Sequence, residues 1–406
     1  MSRVGESISP SRLGRRFRWL LASSWFTNIG DGIALAAGPL LVASQTRDPL
    51  LVASAVFLQG LPWLLFGLYA GVVADRHDRR LIVVAVDVGR ACVLAFLSLT
   101  IVTGSVSVAL VLAAMFVLGT AETFADTTTS TLLPMLVDSA DLGVGNARLM
   151  VGQITANQLA GPPIGAGLFA IGSAWPFATQ ATCMAFGAIL VSRISAARPP
   201  REEARHRTRH QIADGMRWLW NHRPVRTLTI TIVAFNVTFG AAWSVLVLYA
   251  TERLGLGAVG FGLITTAGAV GGVLGSWFYG WIERRVSLAD IMRVGLVIET
   301  FTHLTLALTT VPVVALAVFF VFGAHAAIWG TTATSVRQRA VPTAFQGRVA
   351  SVYMMGVQGG IVVGSAVGGI VARIWGVTGP FWFAFVGSAV ILAAIWRELA
   401  NIAHVE

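Results

Sequence analysis

The stretch GVVADRHDRR, residues 71–80, closes an apolar run that begins near Leu50, and its last six residues are all ionisable. Two acids, a histidine and three arginines gathered at so abrupt a border mark a helix leaving a hydrocarbon phase for water. Everything upstream of Gly71 is on the oily side, and the arginines are on the wet one.

Composition extends that reading to the whole chain. The 406 residues have a mean hydropathy of +0.74 and 12% charged side chains, too few to wet the surface of a soluble globule. The apolar material is grouped in windows of about 20 residues, each long enough to cross a core of about 30 Å as a helix. Twelve such spans are expected, near 17–44, 50–74, 81–103, 107–135, 149–172, 174–195, 227–250, 258–282, 288–309, 311–336, 350–374 and 379–397. The fold class is therefore an all-α membrane protein of twelve transmembrane helices in two six-helix bundles.

Every one of the 29 Lys+Arg positions is arginine. With both termini in the cytoplasm, only Arg47, Arg253 and Arg373 fall in outward loops. The others, apart from the intramembrane Arg90, collect on the inner side, as positive-inside sorting requires. The net charge of +10 then belongs to a face that meets anionic lipid head groups, and no nucleic-acid partner is implied. Arg12, Arg15, Arg16 and Arg18 precede an apolar stretch too long for a secretory signal, so it is read as the first span. Cys92 and Cys183 both lie within spans and point to neither a disulfide framework nor a metal site.

Residues 196–226 interrupt the helices with RPPREEARHRTRH and divide the spans six and six. The expected organisation is an N-terminal bundle over 1–195, a cytoplasmic linker over 196–226 and a C-terminal bundle over 227–406. Within the linker, Ile212, Met216, Leu219 and Trp220 share a helical face beside Arg217 and Arg223, the pattern of an amphipathic helix lying along the membrane surface. His206 and His210, four apart among arginines, read as part of a solvated face.

The halves match at a shift of about 204 residues. FVLGTAETFADTTTST (116–131) sits against FVFGAHAAIWGTTATS (320–335), Gly71 against Gly275, Arg80 against Arg284, and GPPIGAG (161–167) against GSAVGGI (364–370). An even number of spans separates the copies, so they run parallel, related by an axis along the membrane normal.

Twelve spans, a six-plus-six parallel repeat, a long central loop and G-x-x-x-D-R-x-x-R-R after the second span together resemble the major facilitator superfamily. NIGDG (28–32), LPMLV (133–137), GNARL (145–149), ADGMRWLWNHRPVR (213–226) and GRVAS (347–351) resemble bacterial exporters of the enterobactin-exporter and macrolide-efflux group. The resemblance implies that Gly71, Asp75, Arg76, Arg79 and Arg80 form a cytoplasmic latch, and Asp126, a turn closer to the cytoplasm than Glu122, is added to it for its nearness to Arg79. Gly71 would permit close approach of a neighbouring helix, Asp75 would meet the N-terminus of the eleventh span near Ala350, and Arg79 would pair with Asp126. Asp78 stands where the family usually has a second glycine, and the family's arginine-bearing motif in the fourth span is absent.

An acid at the bilayer centre costs about 2.5–3.5 kcal/mol on insertion scales, so each needs a cavity, a partner or a proton. Asp31 lies mid-span with Ser24 and Asn28 on its face and no basic neighbour in sequence. Glu122, a turn from Asp126, is central in the fourth span. These two are the candidate proton-coupling residues. Asp87 and Arg90, three apart on the third span, read as a structural ion pair, and Glu299 and His303, four apart on the ninth, make a similar acid–base pair on one helix face. Gln153 and Asn157 recur at four-residue spacing toward Gly161, Pro162, Gly165 and Gly167, which partly resembles the family's antiporter motif of close glycine packing and a proline bend. Asn28, Gln153, Asn157, Asn236, Trp243, His325, Trp329, Tyr353 and Gln358 are the expected lining of a substrate cavity.

No nucleotide cradle, zinc spacing or nucleophile motif occurs, so neither an enzyme nor a cofactor is expected. The expected function is secondary active transport: a monomeric, proton-coupled exporter (antiporter) in the bacterial inner membrane, moving a drug, antibiotic, siderophore or similar small amphipathic molecule by alternating access. An importer or facilitator of a small metabolite, or a receptor or lipid-handling protein without solute turnover, are the other readings.

Overall fold

The computed structural model describes residues 13–194, 208–342 and 345–398, and within them there are helices and loops but no strand. In chain order the helices are α1 (Gly14–Gln45), α2 (Pro49–Arg76), α3 (Arg79–Val102) and α4 (Val108–Ser130). Then come α5, in three consecutive pieces (Leu142–Gly152, Gln153–Ala160 and Gly161–Ile171), and α6 (Trp175–Ser192). A linker helix, Thr208–Asn221, precedes α7 (Arg223–Trp243), α8 (Ala258–Glu283), α9 (Leu288–Leu308), α10 (Pro312–Ala340), α11 (Gln346–Trp375) and α12 (Gly379–Ile395). Among the described residues nine helices, α1 to α4 and α7 to α11, are long and apolar enough to cross a membrane. Side chains such as Leu99, Val102, Val313 and Trp277 remain more than half exposed on them, which only a hydrocarbon surround makes favourable.

Two compact units emerge: residues 1–46, 58–200 and 257–266 form the first, and 47–57, 201–256 and 267–406 the second. The first residues of α2 belong to the second unit, where Gly369 packs on Leu50 and Ala53 and Arg373 lies 3.9 Å from Asp48. The first residues of α8 belong to the first unit, where Gly262 meets Ala166.

The quoted stretch is built by helix ends. Asp78 caps α3, its carboxylate accepting from the Arg80 and Leu81 amides at 2.9 and 3.4 Å. Arg79 donates to the carbonyls of Ala74 and Thr131, both at 3.2 Å, and Arg80 to that of Ile194 at 3.2 Å. Two arginines thus satisfy orphan carbonyls where α2, α4 and α6 end. Arg79 also pairs with Asp75 at 3.2 Å. It is consumed by these partners, so the expected Arg79–Asp126 pair does not form. Nor is Gly71 a close-approach point: a Cβ there meets nothing within 4 Å.

Close approach occurs between α1 and α5 instead. A Cβ on Gly32 would strike the backbone of Asn157, one on Gly161 the backbone of Gly32, and one on Gly165 the backbone of Ile33. Gly167, part of the same sequence motif, has open space and makes no such contact. Pro162 and Pro163 lack amide protons, and the turn before them widens: Gln153–Ala160 is a π-helix, closed by the Gly161 amide donating to the Ala156 carbonyl five residues back. The second unit repeats the device between α7 and α11, with Gly364 against Val237 and Gly368 against Ala241.

The linker helix departs from the expected single face. Leu219 is buried with Val225, Val341, Val349 and Val352, whereas Met216 and Trp220 are 46% and 56% exposed. Gly215 rests on Arg348, whose guanidinium lies 3.7 Å from Asp214. This helix is docked on the second unit through Gly215 and Leu219 and turns Met216, Arg217 and Trp220 outward. Arg12, His206 and the rest of 196–207 lie outside the described residues, as do the side chains of His210 and Ile212.

Because backbone faces backbone at Gly32, Gly32→Leu is expected to force α1 off α5, cost about 1–3 kcal/mol, and lower the unfolding temperature of the detergent-solubilised protein. Gly167→Leu serves as the control and should leave that temperature unchanged.

Candidate functional site

Helix α6 packs against both α1 and α3, and so brings together two helices that are remote in sequence. At this junction the Arg90 guanidinium hydrogen-bonds the Asp31 carboxylate through Nη2, while its Nη1 stands 3.7 Å from Asp87 Oδ1. Arg90 and Asp87 are 4% and 2% exposed. Gln180 of α6 and Gln59 of α2 line the same cavity as Asp31 and Glu122. Asp126 follows one turn after Glu122. The guanidinium interacts electrostatically with Asp31, Glu122, Asp87 and Asp126. One cation therefore faces four carboxylates, and three negative charges are unbalanced when all are ionised.

These groups open on a cavity of about 170 Å³ whose polar walls are Asn28, Asp31, Gln59, Arg90, Glu122, Asp126, Gln153, Asn157 and Gln180. The π-helical turn of α5 supplies Gln153 and Asn157. Asn28 is held by α1 itself, its amide donating to the Ser24 carbonyl at 2.7 Å and hydroxyl at 3.1 Å. Glu122 has no ion-pair partner among the described residues. No group of three His, Cys, Asp or Glu side chains among them is arranged to hold a metal ion, because the carboxylates are spread around the guanidinium rather than around a common point.

Several expected site residues thus come together: Asn28, Asp31, Glu122, Gln153 and Asn157. Asp126, assigned to the latch from sequence, is in the cavity instead. Asp87 and Arg90 are indeed near each other, but Arg90 makes its closer contact with Asp31. Gln59 and Gln180 escaped sequence reasoning, although each is the lone amide in an otherwise apolar span, the signal that would have found them.

The candidates of the second unit do not line this cavity. Trp243 stands in an aromatic group with Phe239 and Phe319. Trp329 is 7% exposed in a core with Leu228 and Phe235, Tyr353 lies under Arg337 with the cation 4.3 Å from its ring, and His325 is buried against Glu299. Asn236 donates to the Ile232 carbonyl at 2.7 Å, and Gln358 is half-buried on α11. Tertiary packing claims His325, Trp329 and Tyr353, which is why their expected lining role does not materialise here.

Helices that cross a bilayer and enclose a charged cavity define a membrane transport protein, and comparison with known proteins agrees. The profile of the transmembrane secretion effectors matches residues 6–404, and the chain belongs to that family of major facilitator transporters. The multidrug efflux pump Tap of Mycolicibacterium fortuitum is 29% identical over 353 residues, covering 82% of this chain and 83% of that protein. An uncharacterized MFS-type transporter of Mycobacterium tuberculosis is 32% identical over 114 residues, 27% of this chain and only 26% of that protein's length. A mutant of the nucleoside transporter NupG superposes with a TM-score of 0.79 at 11% identity over 95% of this chain and all of that one. A bacterial homologue of the iron transporter ferroportin gives 0.76 at 15% identity over 96% and 99%. Those two show the shared fold. The chain is a multi-pass membrane transporter of small molecules and not an enzyme.

Removing the guanidinium strands buried carboxylates. Arg90→Gln is expected to destabilise the protein by about 3–5 kcal/mol, read as thermal unfolding in detergent. Adding Asp31→Asn should recover part of that loss, because the two side chains answer for one interaction.

Proposed function

We propose that the chain is a proton-coupled exporter of small amphipathic molecules that carry a positive charge, with drugs and antibiotics as its substrates. The observation that carries this reading is the surplus of carboxylates over cations around the cavity of the first unit. Anionic siderophores suit such a cavity poorly, and cationic amphipaths suit it well. A volume of about 170 Å³ is smaller than the roughly 300–1,000 Å³ of drug-sized pockets, so the cavity takes the charged end of the substrate.

Glu122 is the main proton carrier in this scheme, since it lines the cavity with no ion-pair partner among the described residues. Asp31, tied to Arg90, joins when a proton or substrate loosens that pair. A proton arriving from outside neutralises the carboxylate, weakens the hold on the cation and favours return to the inward-open state; a substrate arriving from the cytoplasm displaces the proton. The arrangement belongs to the same proposal: twelve spans in two six-helix bundles, a monomer in a bacterial inner membrane with both termini cytoplasmic, its arginine-rich face on anionic lipid, no cofactor, and the 71–80 segment as a latch between states. Support for export comes from the named activity of the Tap relative.

Everted membrane vesicles test this. A pH gradient should drive uptake of a cationic dye such as ethidium, and Glu122→Gln should reduce that uptake at least tenfold at equal protein level. Full uptake in the variant would remove Glu122 from the mechanism, and dye uptake by intact cells in place of extrusion would reverse the direction.

A further inference from the structure

In the second unit, α9 and α10 bury three titratable side chains and an indole that the proposed cycle does not use. Glu299 Oε2 lies 3.3 Å from His325 Nε2, with side chains 13% and 3% exposed. His303 stands one turn beyond Glu299, itself 3% exposed and within electrostatic reach of Glu299 and His325. Trp329 is one turn beyond His325. Gly295 makes room for this group, since a Cβ there would press on the rings of both Trp329 and His325. Both ring nitrogens of His303, Nδ1 of His325 and Nε1 of Trp329 are buried without a hydrogen-bond partner. His303 also faces an aromatic recess of about 20 Å³ with Phe239, Trp243, Phe319, Phe322 and Phe381.

A purely structural hydrogen bond accounts for Glu299 and His325 and leaves His303 unexplained. An imidazole that was only filler would be replaced at lower cost by an apolar ring, because two unpaired nitrogens carry a desolvation penalty. Charge provides the explanation. With Glu299 ionised and both imidazoles neutral, the group holds one unbalanced negative charge among apolar side chains. One added proton brings it to zero, and a second would bring it to plus one.

Among the described residues Glu299 forms its ion pair with His325 and none with an arginine. On α9, Arg293 pairs with Asp290 at 3.4 Å and reaches the Trp396 carbonyl at 3.4 Å. On α10, Arg337 lies over Tyr353, and Arg339 is 3.4 Å from Glu283 of α8. Helix α8 otherwise brings Tyr279, α7 carries only Arg223 and Arg226 in its first turn, and α12 has no titratable side chain. Tyr249, beyond α7, donates its hydroxyl to the Leu306 carbonyl at 2.7 Å.

We infer that Glu299, His325 and His303 form a proton-binding site in the second unit, which holds a single exchangeable proton. Glu299 and His325 share the proton, and His303 relays it toward the aromatic recess. The inference does not rest on the proposed export, since the site binds a proton whatever the substrate.

The test is a proton count on the purified full-length chain in lipid nanodiscs, titrated without buffer against an indicator dye, with infrared difference spectra recorded in parallel. Glu299→Gln is expected to lose one proton per molecule from the titration, together with one carboxylic-acid band, while the Asp31→Asn, Glu122→Gln double variant keeps that band. An unchanged count and spectrum in Glu299→Gln overturns the inference, as does loss of the band in the double variant. Should Glu299→Gln fail to fold, His325→Gln keeps the carboxylate and removes its partner. The band should then appear at a shifted pH, and an unshifted band overturns the inference equally.

Discussion

The buried contact of Arg90 with Asp31 and Asp87 is the constraint on which the first unit depends. Moving each ion out of water costs several kcal/mol, recovered only if oppositely charged groups meet in good geometry. Those groups sit on α1 and α3, which meet through α6, so the packing of three helices and the charge balance of the cavity are one problem with one solution. The same guanidinium cannot also neutralise Glu122 and Asp126. The residual negative charge that makes the cavity useful is a by-product of the pair that makes it stable.

A repeated backbone here carries unlike chemistry. Glycines bring α5 onto α1 in one unit and α11 onto α7 in the other, at positions related by the repeat. Around that shared frame the first unit places carboxylates and amides, and the second places phenyl rings, indoles and imidazoles. A small-residue seam tolerates this divergence because backbone contact sets the helix separation and leaves the flanking positions free to vary. The π-helical turn before Pro162 exists only in the first unit's seam among the described residues, and it is this turn that presents Gln153 and Asn157 to the cavity.

Helices were legible in the sequence because the bilayer demands them: apolar length and the arginine borders place α1 to α4 and α8 to α11 within about five residues of where they lie, whereas α7 ends at Trp243, seven residues before the expected border at 250. Asp31 was legible as a lone acid in an apolar run, Glu122 as a mid-span acid a turn from Asp126, and Asn28, Gln153 and Asn157 by helical spacing. Other features depended on contacts that spacing cannot express. Arg90 has an acid three residues away that satisfies a local rule, so its contact with Asp31, 59 residues off, was hidden. Asp126 was drawn to the latch by its nearness to the border arginines, yet Arg79 is taken up by helix-end carbonyls and Asp75. Gly71 looked like a packing glycine and is not one, while Gly32, inside the NIGDG motif, is. The pairing of Glu299 with His325 was beyond reach for the same reason, since each has a nearer companion on its own helix.

The account stands on carboxylates that trade a proton for a cationic substrate, and calorimetry of ethidium binding in buffers of differing ionisation enthalpy measures that trade directly. At neutral pH the observed heat should change with buffer in the sense of protons released as the dye binds. Binding heats that are identical in every buffer would mean that no proton leaves the cavity, and would contradict the account.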